Sequence, residues 1–272
     1  MKFEEVFKSN KPIIGMIHLD YLPHQQKFKG YNLLIKKAID DLKNLEEGGV
    51  DAVMIENWKD ESSFPFVNKK SIEAMTKISK IIVKKTALPV GINVLPNDYK
   101  SAFSIAKAEG LQFVQLDVFV DKVKTDYSYS KVLPFEINLD LKDFKKFRKQ
   151  IKAENIILLV TIQPKHYIML EEKKLEQSAK QALQNGADAV IITGKVTGKP
   201  PSAKQIKKVK KSVNCPIMIG SGLTKENAKS LLKYSDGAIV GTAFKTKDFE
   251  KVLKNKVKNL MNEVKNNNYD KI

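Results

Sequence analysis

The chain has 272 residues, of which 42% are hydrophobic, with one cysteine and a net charge of +17. This length suits one α/β barrel of about 250 residues, and we expect a single domain over residues 1–272. No apolar run approaches the roughly 20 residues of a membrane span, the first residues do not resemble a secretory signal, and a lone cysteine excludes an internal disulfide, so we predict a cytoplasmic protein without integral membrane association.

Short apolar runs alternate with longer amphipathic stretches along the chain. The predicted strands are Ile13–Ile17, Ala52–Ile55, Val90–Val94, Phe113–Val118, Ile156–Ile162, Ala189–Ile192, Ile217–Ile219 and Ala238–Val240. Each run is nearly continuous and rich in Val and Ile, which is typical of parallel strands buried on both faces. The predicted helices between them are Tyr31–Glu47, Ile72–Lys84, Tyr99–Ala108, Lys173–Leu183, Ala203–Lys211 and Lys225–Leu232.

Eight strands in βαβ alternation predict a closed (β/α)8 TIM barrel, and glycine motifs after its last two strands, as in many phosphate-binding barrels, favour one resembling the ribulose-phosphate-binding barrels. An open doubly wound sheet would carry its phosphate-binding fingerprint after the first strand, where this chain has none. Two segments depart from the alternation. Residues 121–134 are polar without a clear period, so we predict a long loop, either a lid or a mobile connection. From about Lys254 a Lys/Asn-rich helix extends the chain as a tail.

Polar side chains stand at nearly every predicted strand end, where the chemistry of such barrels takes place. Glu56 and Asp117 end apolar runs, so desolvation would raise their pKa values and let them divide general acid and base roles. Glu56 could equally be paired with Lys165 inside the barrel mouth. The candidate catalytic side chains are Glu56, Asp117, His18, Lys165 and Asn93.

Three of these candidates allow more than one interpretation. His18 could exchange protons, bind a phosphate or only satisfy a local hydrogen bond. Lys165 could form a Schiff base, bind an anion or be a solvated loop lysine. Asn93 would orient or polarise a reacting carbonyl group.

Two glycine turns follow the seventh and eighth predicted strands. Glycine lets the backbone approach an anion closely, and N–H groups at the start of the next helix bind phosphate oxygens. The alternative is that these glycines only form tight βα turns. We predict a phosphate site formed by Gly194, Gly220, Ser221, Gly222, Gly241 and Thr242.

No cofactor is predicted, and a divalent metal stays an open alternative. His18, Glu56, Asp117 and His166 are of types that bind metals, but no local spacing such as His-x-x-x-His joins them. His24 lies in a loop and receives no role.

The positive charge raises the alternative of a nucleic-acid or anionic-membrane partner. Arg148 is the only arginine, however, and guanidinium is the group that reads base edges and forks onto phosphates. The lysines fall mainly on the outer faces of predicted helices, which favours a solvated surface. We therefore expect a small phosphorylated substrate and no sequence-specific nucleic acid, and we leave a homo-oligomer open.

Motifs along almost the whole chain resemble the BtpA/SgcQ family. The first half carries Gly15-Met-Ile-His-Leu-x-x-Leu-Pro23, Glu56-Asn57 with Pro65-Phe66, and Gly91-Ile-Asn-Val-Leu-x-Asn-Asp98. The second half carries Lys165-His166, Thr193-Gly194 with Thr197-Gly198, Gly220-Ser-Gly222 with Asn227, and Asp236-Gly-x-Ile-Val-Gly-Thr242. The resemblance implies a phosphate-binding TIM-type barrel. One branch of the family is linked to photosystem I biogenesis, and another accompanies genes of sugar uptake and sugar-phosphate metabolism.

The chain departs from the family pattern at three places. His24 stands where the family usually has glycine, and the stretch between Asn57 and Pro65 is longer than usual. At the fourth strand the family tends toward Arg-Val-Asn, whereas this chain has Gln115, Leu116 and Asp117. Loss of that positive charge would alter anion recognition, so the substrate could differ from that of better-known relatives.

Two function classes follow from these observations. The first is an enzyme of sugar-phosphate metabolism that acts on a small phosphorylated metabolite by lyase, aldolase or isomerase chemistry at the C-terminal face of the barrel. The second is a non-catalytic assembly or biogenesis factor that uses the barrel as a scaffold. Polar groups concentrated at strand ends favour the enzyme, although a fold alone does not specify a function.

Overall fold

A computed structural model describes residues 1–60, 64–127 and 133–267 of the chain. Its strands are β1 (Ile13–His18), β2 (Ala52–Glu56), β3 (Val90–Asn93), β4 (Phe113–Leu116), β5 (Val123–Thr125), β6 (Glu136–Ile137), β7 (Ile157–Ile162), β8 (Tyr167–Met169), β9 (Ala189–Ile192), β10 (Ile217–Ile219) and β11 (Gly237–Val240). Eight of them form a closed parallel barrel in the order β1, β2, β3, β4, β7, β9, β10 and β11, and β11 pairs again with β1. The predicted barrel and its eight strands are confirmed, with strand ends shifted by at most two residues.

Helices cover the outside of the barrel. They are α1 (Phe3–Val6), α2 (Tyr31–Gly48), α3 (Lys69–Val83), α4 (Tyr99–Glu109), α5 (Leu141–Gln150), α6 (Leu175–Gln184), α7 (Ala203–Ser212), α8 (Lys225–Leu232) and α9 (Lys254–Asn266). The six helices predicted by range are confirmed, and α5 is an addition that begins where the Asp140 side chain accepts two backbone N–H bonds. None of the described helices is long and apolar enough to cross a membrane.

The C-terminal helix α9 begins at Lys254 and belongs to the helical ring of the barrel. Its buried residues are Val257, Leu260, Met261 and Val264, and it packs between α2 and α8. The approach to α2 is close because Gly48 has no side chain: a Cβ there would lie 2.3 Å from a methyl carbon of Val257. The helix therefore covers the seam between the first and last barrel strands.

A three-stranded antiparallel sheet, with β5 between β6 and β8, lies beyond the barrel strands. The prediction of a loop without regular structure is therefore wrong for Val123–Thr125. Strands of two or three residues are too short to show an alternating pattern, and their pairing depends on a partner more than forty residues away in sequence. Val118, Val123 and Ile137 form a small apolar cluster beneath this sheet. Residues 128–132 of the predicted loop lie outside the described residues.

The N-terminal end of the barrel is closed by aromatic side chains. Phe113 fills the interior, and its ring lies 5.1 Å from that of Phe7, which follows α1. Gly91 on the neighbouring strand makes room for it, because a Cβ at Gly91 would lie 2.1 Å from the Phe113 ring. The interior layer formed by Met16, Met54 and Phe113 is fully apolar, so polar chemistry is confined to the opposite end.

Candidate active site

The register of four neighbouring strands brings four polar side chains into one row. His18 on β1 pairs with Glu56 on β2, Glu56 pairs with Asn93 on β3, and Asn93 pairs with Gln115 on β4. Paired residues of parallel strands point to the same side of the sheet. These side chains therefore form the first polar layer above the apolar interior, and Asp117 follows immediately after β4.

Hydrogen bonds connect the members of this row. Asn93 donates from Nδ2 to Glu56 Oε2 over 2.9 Å and approaches Asp117 Oδ1 at 3.4 Å. Gln115 donates to the same Asp117 oxygen over 2.8 Å. His18 Nε2 lies 3.4 Å from Glu56 Oε1. One amide thus holds two carboxyl groups in a common position, as the proposed division of acid and base roles requires.

The electrostatic environment suits Glu56 for proton transfer at neutral pH. Burial, together with the nearby Asp117 carboxylate, raises the pKa of Glu56 from 4.5 to about 7, against the opposing effects of the Asn93 hydrogen bond and of Lys165 and Lys245. Burial also raises the pKa of Asp117. A group with a pKa near the ambient pH can both release and accept a proton.

Burial lowers the pKa of two basic side chains near Glu56. Burial, with contributions from Lys245 and Lys165, lowers the pKa of His18 well below its ordinary value, so the His18 imidazole is neutral at pH 7. Its ring stacks on Trp58, with centroids 4.9 Å apart. Burial is likewise the main cause that lowers the pKa of Lys165, while Asp117 and Glu56 act in the opposite direction.

One cavity of about 360 Å³ opens at this end of the barrel. Its volume is at the lower end of the range for small-molecule sites, which fits a small metabolite. Glu56, Asp117, His18 and Lys165 line it, whereas Asn93 lies behind the two carboxyl groups. The small sheet forms part of its wall through Thr125, Phe135 and Tyr167.

The glycine turns line the same cavity as the carboxyl groups, and Gly220, Ser221, Gly222, Gly241 and Thr242 all face it. Gly222 has a φ of +75°, and a Cβ there would lie 2.2 Å from the Pro200 nitrogen. Ser221 Oγ accepts the N–H of Gly198. Among the described residues, the amide N–H groups of Gly222, Leu223 and Thr242 donate to no protein acceptor. These amides are available to an anion in the cavity.

The two halves of the cavity are joined at Gly241. A Cβ at this position would lie 2.8 Å from His18 Cε1, so glycine is needed to seat the imidazole ring. Gly194 has a different position. It does not line the cavity, and a Cβ there would meet the Lys199 carbonyl oxygen at 2.1 Å. Gly194 thus allows the loop after β9 to fold back, and Gly222 approaches the same part of that loop, because a Cβ at Gly222 would lie 2.4 Å from the Lys199 carbonyl carbon.

His24 and His166 hold loops at the rim of the cavity. His24 Nε2 lies 3.1 Å from Asp60 Oδ1, and its Nδ1 lies 3.2 Å from Ser71 Oγ, which ties the loop after β1 to the start of α3. His166 Nε2 lies 2.7 Å from Thr197 Oγ1 on the loop after β9. Burial lowers the pKa of His166 to about 4. Both histidines therefore connect neighbouring βα loops.

The residues considered as metal ligands do not form one group. His18 and Glu56 are close to each other, but His166 contacts a different loop. Within the described part of the chain, no three His, Cys, Asp or Glu side chains converge as a metal site requires.

Two side chains beside the acid–base cluster were not predicted from the sequence. Trp58, which supports the His18 ring, is the only tryptophan of the chain and follows Glu56 by two residues. Lys245 is 3% exposed and acts on the pKa values of both His18 and Glu56. In the sequence, Lys245 differs from the other lysines only in lying four residues after Gly241, which is too weak a signal to predict a role.

Two solved structures of similar fold are enzymes named for phosphorylated compounds. The (S)-3-O-geranylgeranylglyceryl phosphate synthase of Thermoplasma acidophilum, in complex with its substrate sn-glycerol-1-phosphate, has a TM-score of 0.60 over 97% of this chain and 99% of its own, at 15% identity. Thiamine phosphate pyrophosphorylase of Pyrococcus furiosus has a TM-score of 0.57 over 94% and 96%, also at 15% identity. At such identity the likeness concerns the fold.

Sequence relatives cover most of the chain. A protein of Archaeoglobus fulgidus is 35% identical over 86% of this chain and 92% of its own. The sgc region protein SgcQ of Escherichia coli is 30% identical over 89% of each chain. The photosystem I biogenesis protein BtpA of Synechocystis is 29% identical over 90% of this chain and 84% of its own. The sequence profile of the BtpA family matches residues 9–266. The chain therefore belongs to the BtpA family, as its motifs indicate.

Proposed function

We propose that this protein is an enzyme that binds a small phosphorylated metabolite, in the first instance a sugar phosphate, and transfers a proton at a carbon near its carbonyl group. The observation that carries the proposal is the shared cavity: Glu56, with a pKa of about 7, lies in the same enclosed space as the glycine turns of β10 and β11. Lyase, aldolase and isomerase reactions all use a proton transfer of this kind.

The amides of Gly222, Leu223 and Thr242 would hold the phosphate. They are aided by α8, which begins one residue after Thr224 and directs the positive end of its dipole toward this turn. Binding the phosphate at a fixed place positions the rest of a small substrate over the carboxyl groups. The names of the two similar structures, a geranylgeranylglyceryl phosphate synthase and a thiamine phosphate pyrophosphorylase, support this choice of substrate class.

The acid–base step would fall to Glu56, with Asp117 as the second carboxyl group. Asn93 contacts both and keeps them at a fixed separation. The neutral His18 imidazole is positioned to donate a hydrogen bond to a developing negative charge, and Trp58 holds its ring. Asn93 and Trp58 are positioning residues in this scheme.

Thermal denaturation tests the phosphate site. Inorganic phosphate and sugar phosphates, compared with the unphosphorylated sugars, should stabilise the protein by about 2.7 kcal/mol at a hundredfold excess over Kd. Gly222→Ala should remove this effect. Gly110→Ala is the matched control, because Gly110 has the same φ of +75° but no atom within 4 Å of the added Cβ. Equal stabilisation of both variants would contradict the phosphate site.

Deuterium incorporation from solvent into bound sugar phosphates tests the chemistry. Glu56→Gln should keep the phosphate-dependent stabilisation while exchange falls by about two to four orders of magnitude, the usual contribution of general acid–base catalysis. Exchange at the wild-type rate in Glu56→Gln would show that another group moves the proton.

The alternative is a non-catalytic assembly factor. The name of the Synechocystis relative supports it, and so do exposed apolar side chains on or near the small sheet, such as Leu133 at 79% and Ile168 at 51%. A role as an assembly factor predicts that no phosphorylated compound stabilises the protein. It also predicts that Leu133→Ser impairs function while Glu56→Gln does not.

A further inference from the structure

One lysine faces the cavity without a bonding partner. Lys165 is the only lysine in the lining among the described residues, and there its ammonium group makes neither a hydrogen bond nor an ion pair. Lys173, which follows in the next segment, differs: it donates to the Val120 carbonyl oxygen and to Gln181, each over 2.8 Å. Lys165 is therefore not used to fasten one loop to another.

The turn that carries Lys165 is held on both sides. Gln163 and His166 have left-handed φ values of +46° and +69°, which non-glycine residues adopt only where the surroundings enforce them. The Gln163 N–H donates to the Asp121 carboxylate over 2.7 Å, and His166 contacts Thr197. Lys165 is thus presented to the cavity from a fixed backbone.

Burial and the neighbouring carboxyl groups act in opposite directions on the pKa of Lys165, and burial has the larger effect. Burial lowers its pKa, and the carboxyl groups that would restore the charge, Asp117 and Glu56, have raised pKa values themselves. A neutral amine is a nucleophile, and an adjacent group with a pKa of about 7 can supply and recover protons. In the proposed function the amides of the glycine turns hold the anion, so Lys165 is not needed for that role.

We infer that Lys165 forms an imine with the carbonyl carbon of a small phosphorylated aldehyde or ketone. This inference rests on the proposed function, because the phosphate in the glycine turns delivers the carbonyl group to Lys165. It narrows the substrate class from phosphorylated metabolites to phosphorylated carbonyl compounds.

The step balances with the groups present. The Lys165 nitrogen lone pair attacks the carbonyl carbon, the C–N bond forms, and the carbonyl π electrons move to oxygen. A proton passes from nitrogen to that oxygen, and Glu56 in its acid form donates a second proton as the C–O bond breaks and water leaves. The product is a protonated imine beside the Glu56 carboxylate, which is placed to take a proton from the adjacent carbon.

Borohydride trapping tests the imine on the whole protein. Dihydroxyacetone phosphate and glyceraldehyde 3-phosphate are added with borohydride, which reduces an imine to a stable secondary amine, and the labelled residue is located by peptide mass analysis. We expect labelling of Lys165 at least about tenfold above Lys195, an exposed lysine on the loop after β9 that does not line the cavity. Unphosphorylated dihydroxyacetone should label Lys165 far less.

Two variants separate the imine from binding. Lys165→Arg keeps a long basic side chain but cannot form an imine, so the adduct should be lost while inorganic phosphate still raises the melting temperature. Lys195→Arg should change neither readout. If dihydroxyacetone phosphate stabilises the protein but Lys165 stays unlabelled, the imine is refuted and the proposed function stands. If there is neither stabilisation nor labelling, both fail, and equal labelling by dihydroxyacetone refutes the phosphorylated substrate class.

Discussion

The two ends of the barrel are built from the same strands, but one end stabilises the fold and the other carries the polar cluster. At the N-terminal end, Phe7 packs against Phe113 with tilted rings over an apolar interior, and Gly91 leaves room for the Phe113 ring. One strand-layer further, Glu56 and its neighbours replace the apolar side chains with groups that burial disfavours. The first end gains stability from packing, whereas the second gives up stability for a reactive environment.

This contrast shows why the chemistry is confined to a single layer. Met54 and Glu56 lie two residues apart on β2 and point to the same side, so one step along the strand separates a fully buried thioether from a carboxyl group with a shifted pKa. The apolar layer excludes water from below and keeps the effective dielectric low. The raised pKa of Glu56 therefore depends on the packing beneath it.

Removal of the Phe113 ring should give the largest change in stability. Phe113→Ala leaves a cavity between Phe7 and Gly91, and we expect it to lower the free energy of unfolding by about 3–5 kcal/mol. Chemical denaturation measures this loss, with Phe249→Ala, at a side chain 48% exposed, as a control expected below about 1 kcal/mol. A comparable loss in both variants would mean that the apolar end is not the main source of stability.

A substitution in the polar layer should raise the free energy of unfolding, and it should do so only at high pH. The pKa of Glu56 is raised from 4.5 to about 7, so the folded state favours the protonated acid. Its contribution to stability is fully present below pH 4.5 and is lost as the pH rises to 7, by about 3 kcal/mol. Glu56→Gln, which stays neutral, should therefore be more stable than the wild type at pH 8 and nearly equal to it at pH 5.

Denaturation of both proteins at the two pH values measures this difference. Glu176→Gln serves as a control of opposite sign, since its carboxylate has a lowered pKa owing to a backbone hydrogen bond and Lys208. That variant should lose a little stability at pH 8. If Glu56→Gln were no more stable than the wild type at pH 8, the buried Glu56 carboxylate would not destabilise the folded state. The contrast between the two ends would then be weaker than the structure indicates.

The barrel could be predicted from the sequence because its evidence is local. Continuous runs such as Ile157–Ile162 are typical of buried parallel strands, and eight of them leave few alternatives. The small sheet could not be predicted, because Val123–Thr125 is too short to show a period. It also pairs with Tyr167–Met169, which is more than forty residues away in sequence. Helix α5 was missed because its apolar residues are few, with Phe144 as its buried anchor.

The site was predictable as a set of positions rather than as a set of contacts. Glu56, Asp117 and Lys165 were found because each follows an apolar run at the same end of the barrel. That Asn93 bridges the two carboxyl groups depends on the register of β2, β3 and β4, which the sequence does not contain. The roles of the glycines also depend on contacts: Gly194 and Gly222 both make room for the Lys199–Pro200 backbone, but Gly222 lines the cavity and Gly194 does not.

The smallest effect should come from the ion pairs at the rim of the polar end. Lys37 and Lys59 each bridge Asp20 and Glu250 at 2.7–2.8 Å, which joins the loops after β1 and β2 to the segment after β11. Because these groups are partly solvated, Lys59→Met should cost at most about 1 kcal/mol, and added salt should reduce that cost.

Thermal denaturation at low and high salt measures this effect, with Lys36→Met as the matched control. Lys36 forms one pair with Asp40 on the surface of α2, with both side chains more than half exposed, and its loss should be smaller still. The ligand-induced stabilisation should be unchanged in Lys59→Met, because this residue lies outside the cavity lining. A loss of phosphate binding in Lys59→Met would instead show that the ion pairs set the shape of the cavity, and that the polar end is a single cooperative unit.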